Sequence, residues 1–153
     1  MARRASLLAV LAVSLSGALA ACGGGGQRTL SANQLRTRAS TICTDTSTAM
    51  DRVPLPNAPA GGGQFLRRGL LRLQPALDQL KALKPPDELR AGYAHALQLE
   101  TQELDVIAAH EQSIRGGDDV IATFRRLQTA IAPILQEEDT AWRDLELPDC
   151  VKR

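Results

Sequence analysis

Three glutamates interrupt the apolar faces of two segments that have helical periodicity. At about 100° per residue, Glu100 and Glu111 fall on the apolar stripe between residues 89 and 114. Glu138 falls in the same way among the apolar residues between 131 and 145. A buried carboxylate without a partner is costly, so each must pair with a base, reach solvent or bind a ligand. These three residues are therefore the candidate ligand-facing carboxylates.

A metal site is the first alternative for these glutamates. Helical bundles that bind metals use glutamates together with Glu-x-x-His pairs. Glu100 and Glu103 have the three-residue spacing, but neither is followed three residues later by a histidine, and His95 and His110 lie off the stripe. We therefore predict no metal site and no resident cofactor, and we expect the glutamates to lie at the edges of the domain, paired with arginines. The candidate partners are Arg36, Arg38, Arg125 and Arg143.

Tyr93 is the only tyrosine of the chain and lies on the same stripe as Glu100. A tyrosine can be an axial ligand of haem, and His110 could accompany it. A single amphipathic aromatic residue on a helix face is more commonly part of the core, with its hydroxyl at the rim. The core position is our prediction for Tyr93, and a haem-binding role is kept as the alternative.

Enzyme signatures are missing from the sequence. It contains no G-x-S-x-G, H-E-x-x-H, P-loop or dinucleotide-binding glycine pattern. The 18 basic and 17 acidic residues nearly balance, so no charge excess favours a nucleic-acid partner. We therefore expect a protein that is not an enzyme and does not bind nucleic acid.

Clusters of glycine and proline divide the chain into four helical segments. The interruptions are residues 54–63, 85–86 and 116–117. Ser31 and Gln34 have the spacing of a capping box, and Asp118 or Asp119 can cap the last segment. The helices are predicted at about 31–53, 64–83, 87–115 and 118–145.

The fold class predicted from these segments is all-α. Short connections between successive helices favour an up-down-up-down four-helix bundle, and no hairpin signal competes with it. Pro75 and Pro133 lie inside the second and fourth helices, where each should produce a kink. The second helix could also divide into two shorter ones at Pro75.

The N-terminus resembles a bacterial lipoprotein signal peptide. Arg3 and Arg4 precede an apolar run, Ala5–Leu19, which ends in the box Leu19-Ala20-Ala21-Cys22. The resemblance implies cleavage before Cys22, whose sulfur would receive a diacylglycerol with acyl chains such as palmitate. Residues 1–21 would then be the signal peptide.

This resemblance implies a location and an organisation for the rest of the chain. The lipid would anchor the protein at the extracytoplasmic face of the cell membrane, with residues 22–30 as a glycine-rich tether and 31–153 as one domain. With Cys22 assigned to lipid, Cys43 and Cys150 remain in an oxidising compartment. We predict a disulfide between them.

The mature part resembles the small helical lipoproteins of GC-rich Gram-positive bacteria, which combine a lipobox with a helical domain and two cysteines. No motif is specific enough to transfer a function from them. The predicted function is a non-catalytic binding or scaffolding module, whose partner is an envelope protein or a small ligand held between helices. The alternative is an envelope carrier of metal or haem that uses Glu100, Glu111 and Glu138, or Tyr93.

Overall fold

The computed structural model describes residues 28–151, which form four α-helices and two short 3-10 turns, with no β-strand among them. The prediction of an all-α protein with four helices is confirmed. No helix within this range has both the length and the apolar character needed to cross a membrane. The predicted signal peptide and Cys22 lie outside the described residues. The elements are α1 (Ala32–Met50), the turn Pro59–Gly61, α2 (Gly62–Ala82), α3 (Asp87–Arg115), α4 (Val120–Asp144) and the turn Pro148–Cys150.

The helix starts follow from local capping. At α1, the hydroxyl of Ser31 accepts the backbone N–H of Gln34, and the Gln34 side chain accepts the backbone N–H of Ser31. At α4, the carboxylate of Asp119 accepts the backbone N–H of Ala122 at 2.8 Å. Each bond satisfies a backbone donor that has no partner within its helix, so these residues fix where the helices begin. The predicted capping box is confirmed, and of the two candidates for the cap of α4 the structure has Asp119.

Each helix that contains an internal proline is continuous through it. α2 passes through Pro75 and α4 passes through Pro133 without a break, so α2 does not divide into two shorter helices. Both prolines lie at exposed positions. Water can therefore reach the backbone carbonyl that each ring leaves without its usual donor.

α3 is the central element, because it packs extensively against both α2 and α4. α1 packs less extensively, against α2 and the C-terminal turn Pro148–Cys150. Only Leu35 and Ala39 of α1 are fully buried, and both belong to its first half. The fully buried residues of α1 thus lie in its N-terminal half.

The main core lies where the start of α1, the end of α2, the start of α3 and the end of α4 meet. Trp142 and Tyr93 are its largest residues, and their rings meet edge to face with centroids 5.9 Å apart. The Tyr93 hydroxyl donates a hydrogen bond of 2.9 Å to the carbonyl of Leu80, which connects α3 to α2. This places Tyr93 in the core as predicted, with its hydroxyl buried instead of at the rim.

A disulfide joins Cys43 in the middle of α1 to Cys150 in the C-terminal turn, with Cα atoms 4.9 Å apart. The two cysteines are separated by 107 positions, so the bond closes most of the domain into one loop. This predicted pairing is confirmed. It attaches α1 to the chain that follows α4.

Candidate functional site

A cavity of about 210 Å³ is lined mainly by α1 and α2, and residues of α3, α4 and the disulfide complete its lining. Most of its wall is hydrocarbon, contributed by three helices. The apolar side chains that line it are Ile42 and Met50 of α1, Phe65, Leu66, Leu70, Leu73, Ala76 and Leu80 of α2, and Leu104 and Ile107 of α3.

The cavity exists because α1 and α2 do not fill the space between them. The second half of α1 contains no fully buried residue, and the Thr46 hydroxyl on its inner side is bonded to the carbonyl of Ile42 at 2.7 Å. On α2, Gly69 is buried and has no side chain that could fill the cavity. A methyl group added there would meet only Met50 Cε, at 3.5 Å, which is ordinary van der Waals contact. Thr46 on α1 and Gly69 on α2 therefore leave space that larger apolar side chains at these two positions would fill.

Three glutamates line this otherwise apolar cavity: Glu100 and Glu103 from α3, and Glu138 from α4. Glu100 and Glu103 are one turn apart, so they project from the same side of α3. Glu138 is 1% exposed and Glu103 is 8% exposed. Each of the three also interacts with other groups of the protein. The cavity thus combines a mostly apolar lining with three glutamates.

Glu138 also connects the cavity to the core. Its Oε1 accepts a hydrogen bond of 3.0 Å from the indole Nε1 of Trp142, one turn later on α4. The Trp142 ring in turn packs on Tyr93. A change at the carboxyl group of Glu138 should therefore alter the environment of Trp142, which is the only tryptophan of the chain.

Of the three glutamates predicted to face a ligand, the structure brings Glu100 and Glu138 to the cavity. Glu111 is not among the residues that line it. Its carboxylate lies 3.8 Å from Arg115, one turn further along α3. Glu111 thus has an ion-pair partner on its own helix, near the C-terminal end of α3.

Two of the arginines predicted to pair with the glutamates, Arg36 and Arg143, have other partners in the structure. Arg36 lies 3.3 Å from Glu146 and also donates to the carbonyl of Leu145 at 3.1 Å. Arg143 lies 3.4 Å from Asp139 on its own helix. Neither arginine lines the cavity.

Glu103 belongs to the site although the sequence did not single it out as ligand-facing. Its neighbours one turn away on α3 are Leu99, which is buried, and Ile107, which lines the cavity. A glutamate between two apolar residues at four-residue spacing lies on the inner face of a helix. This spacing could have identified Glu103 from the sequence as a residue on the inner face of its helix.

Tyr93 is not part of the cavity, and the structure does not support it as a haem ligand beside His110. The two residues are about 25 Å apart along the axis of α3. Burial, and secondarily the negative charge of Glu100, raises the pKa of Tyr93 well above its usual value. A raised pKa disfavours the phenolate that would coordinate iron.

A metal site would need several donor side chains at one point. Within residues 28–151, no group of three or more His, Cys, Asp or Glu side chains is placed to hold a metal ion. Both cavity cysteines, Cys43 and Cys150, are joined in the disulfide.

Comparison with known proteins adds no relative: no protein-family model, no curated protein and no solved structure matches this chain.

Proposed function

We propose that this protein is a lipid-anchored, extracytoplasmic binding module that holds a small, mostly apolar ligand in the cavity between α1 and α2. The proposal rests on the cavity itself, whose lining is mostly apolar but includes three glutamates. Apolar cavities with a few convergent polar groups are the usual form of small-molecule sites. We place no catalytic step there.

The location rests on two features of the chain. The lipobox ending at Cys22 supports export and acylation. The disulfide between Cys43 and Cys150 supports an oxidising compartment. In the same proposal the four helices alternate up and down, with kinks at Pro75 and Pro133, and residues 22–30 separate the domain from the lipid.

The size of the cavity limits the ligand. An engineered cavity of about 150 Å³ holds benzene, whereas sites for drug-sized molecules begin at about 300 Å³. At about 210 Å³, this cavity suits a molecule of roughly six to twelve non-hydrogen atoms. A single ring with a short side chain meets this requirement.

Three probes with the same phenylethyl body test the proposal: 2-phenylethylamine, 2-phenylethanol and 3-phenylpropanoate. The protein used is the chain from Gly23 onward, exported so that the disulfide forms, because all residues of the core and of the cavity lie within 30–150. Binding is measured by calorimetry and by the fluorescence of Trp142. We expect at least one probe to bind saturably with one site per chain.

Variants that fill the cavity locate the binding. Gly69→Leu and Thr46→Leu place a larger side chain on opposite walls, and either should abolish binding. Gly92→Leu is the matched control, because Gly92 is an exposed helical glycine that does not line the cavity. Absence of binding by all three probes would overturn the proposal, as would binding that neither filling variant affects.

A further inference from the structure

We infer that the outward face of α2 docks on an anionic lipid surface through Arg67, Arg68, Leu71 and Arg72. None of these four residues lines the cavity, so the inference goes beyond the proposed ligand site and holds independently of it. The partner is identified by its chemistry: negatively charged headgroups above a hydrocarbon layer.

Helical geometry brings the four residues together on the side of α2 that faces away from the core. All four are exposed, and the exposed fraction of Leu71 is 66%. At about 100° per residue, Arg67 lies about 40° to one side of Leu71. Arg68 and Arg72 lie about 60° and 100° to the other side. The leucine therefore projects from the middle of a group of three arginines.

The charge around Leu71 is positive. α2 contains three arginines, one lysine and one aspartate, a net charge of +3, whereas the whole chain carries only +1. No acidic residue occurs between Asp51 and Asp78. Asp78 lies about 9 Å beyond Arg72 along the helix axis, so it offsets the arginines only weakly. The neighbouring α1 adds two arginines and one aspartate, which does not reverse the sign.

The combination of leucine and arginine favours a lipid surface over a soluble polyanion. A single exposed leucine is common on soluble proteins and is not evidence of a partner. Here its arginine neighbours can pair with phosphate groups, and Leu71 can then leave water only where the partner also offers hydrocarbon. A nucleic acid would contact the arginines but leave the leucine in water.

The start of the domain lies at the end of α2, within reach of the proposed anchor. The backbone N–H of Leu30 donates a hydrogen bond of 2.9 Å to the carbonyl of Lys84. Arg72 lies about 18 Å from Lys84 along the direction of α2. Residues 22–30 can span at most about 30 Å. The tether would make contact between α2 and the membrane intramolecular, so individually weak contacts are enough.

Vesicle flotation at low salt tests the role of the charge. The chain from Gly23 onward should float with vesicles of equimolar phosphatidylglycerol and phosphatidylcholine, but not with vesicles of phosphatidylcholine alone. The triple variant Arg67→Gln, Arg68→Gln, Arg72→Gln should lower the partition coefficient about a hundredfold, because each arginine near an anionic surface contributes a factor of about five. Added salt should weaken the binding of the unchanged chain.

A second triple variant controls for the net charge of the protein. Arg38→Gln, Arg90→Gln, Arg125→Gln removes one exposed arginine from each of the other three helices and should retain most of the binding. Equal losses in the two triple variants would overturn the inference, as would equal binding of the unchanged chain to both kinds of vesicle. Binding to a DNA duplex without binding to vesicles would also overturn it.

Quenching by brominated lipids tests the apolar contact on the anchored protein. The chain from Cys22 onward is coupled through that cysteine to a maleimide lipid in the same anionic vesicles. Lipids brominated in their acyl chains should quench the indole of Leu71→Trp, and the fully buried Trp142 should add little background. Ile121→Trp is the matched control, because Ile121 is an exposed apolar residue of α4, and its indole should not be quenched. Equal quenching of the two variants, or quenching of neither, would overturn the inference.

Discussion

The indole Nε1 of Trp142 donates a hydrogen bond of 3.0 Å to Oε1 of Glu138, and both side chains are almost completely enclosed. Glu138 lines the cavity, and Trp142 is the largest residue of the core. This one bond therefore connects the candidate ligand site to the part of the protein that stabilises the fold.

Loss of this acceptor should destabilise the protein. Glu138→Leu leaves the buried indole N–H without its partner, which should lower the free energy of unfolding by about 1–3 kcal/mol relative to Glu138→Gln. The comparison with Gln removes the contribution of the charge, since neither variant has one. Urea unfolding followed by circular dichroism measures the difference. Equal stability of the two variants would show that the bond contributes nothing.

Gly69→Ala should increase stability and weaken ligand binding at the same time. The added Cβ fits, with its nearest neighbour at 3.5 Å, and replacing a glycine within a helix gains about 1 kcal/mol. The methyl group also takes up part of the cavity. Thermal unfolding and calorimetry with 2-phenylethylamine measure the two effects.

Gly92→Ala is the matched control for Gly69→Ala. Its Cβ would lie 3.4 Å from Leu145, an ordinary contact, and Gly92 does not line the cavity. It should gain stability through helix propensity without a change in ligand affinity. If both variants weaken binding equally, the cavity beside Gly69 is not the binding site.

The sequence predicted the helices better than the site, for physical reasons. Helix ends depend on local groups such as Ser31 and Asp119, whose capping bonds form within a few residues. The cavity depends on how two helices far apart in sequence face each other. Periodicity placed Glu111 on the same stripe as Glu100, but the position along α3 decides which of them reaches the cavity.

The predicted disulfide illustrates the same distinction. Cysteine number and the expected compartment were enough to pair Cys43 with Cys150, because only one pair remained after Cys22. That both cysteines would line a cavity was not predictable, since it depends on the position of the C-terminal turn against α1.

Removal of the disulfide should cost much of the stability. The chain-entropy model gives about 4–5 kcal/mol for a loop closed across 107 positions. The test compares urea unfolding of the oxidised chain with that of the double variant Cys43→Ser, Cys150→Ser. Ligand affinity should fall as well, because the bond holds α1 against the C-terminal turn beside the cavity. An unchanged unfolding midpoint would contradict this role.

Acylation of Cys22 has a direct test in cells. Growth with an alkyne analogue of palmitate should label the full chain, and Cys22→Ala should abolish the label and prevent conversion to the mature size. Cys43→Ala is the control, because it removes a cysteine assigned to the disulfide and should leave the label intact. Labelling that survives Cys22→Ala would show that the lipid is attached elsewhere or that the N-terminus is not a lipoprotein signal.

Stability should fall at alkaline pH because of Tyr93. Burial first, and the charge of Glu100 second, raises the pKa of its phenol in the folded state, whereas the unfolded chain titrates near the usual value of about 10. Above about pH 10 the folded protein therefore holds one proton more than the unfolded chain. The free energy of unfolding is unaffected by Tyr93 below that pH and should decrease by up to about 1.4 kcal/mol per pH unit above it.

Tyr93→Phe separates this contribution from those of other groups that titrate at high pH. The variant loses the hydrogen bond to the carbonyl of Leu80, so it should be less stable at neutral pH, but its stability should decrease less steeply above pH 10. Because Tyr93 is the only tyrosine, the tyrosinate absorbance of the folded protein reports this one group. Ionisation of the folded protein near pH 10, or equal alkaline slopes for the two chains, would mean that the buried phenol does not contribute to the pH dependence.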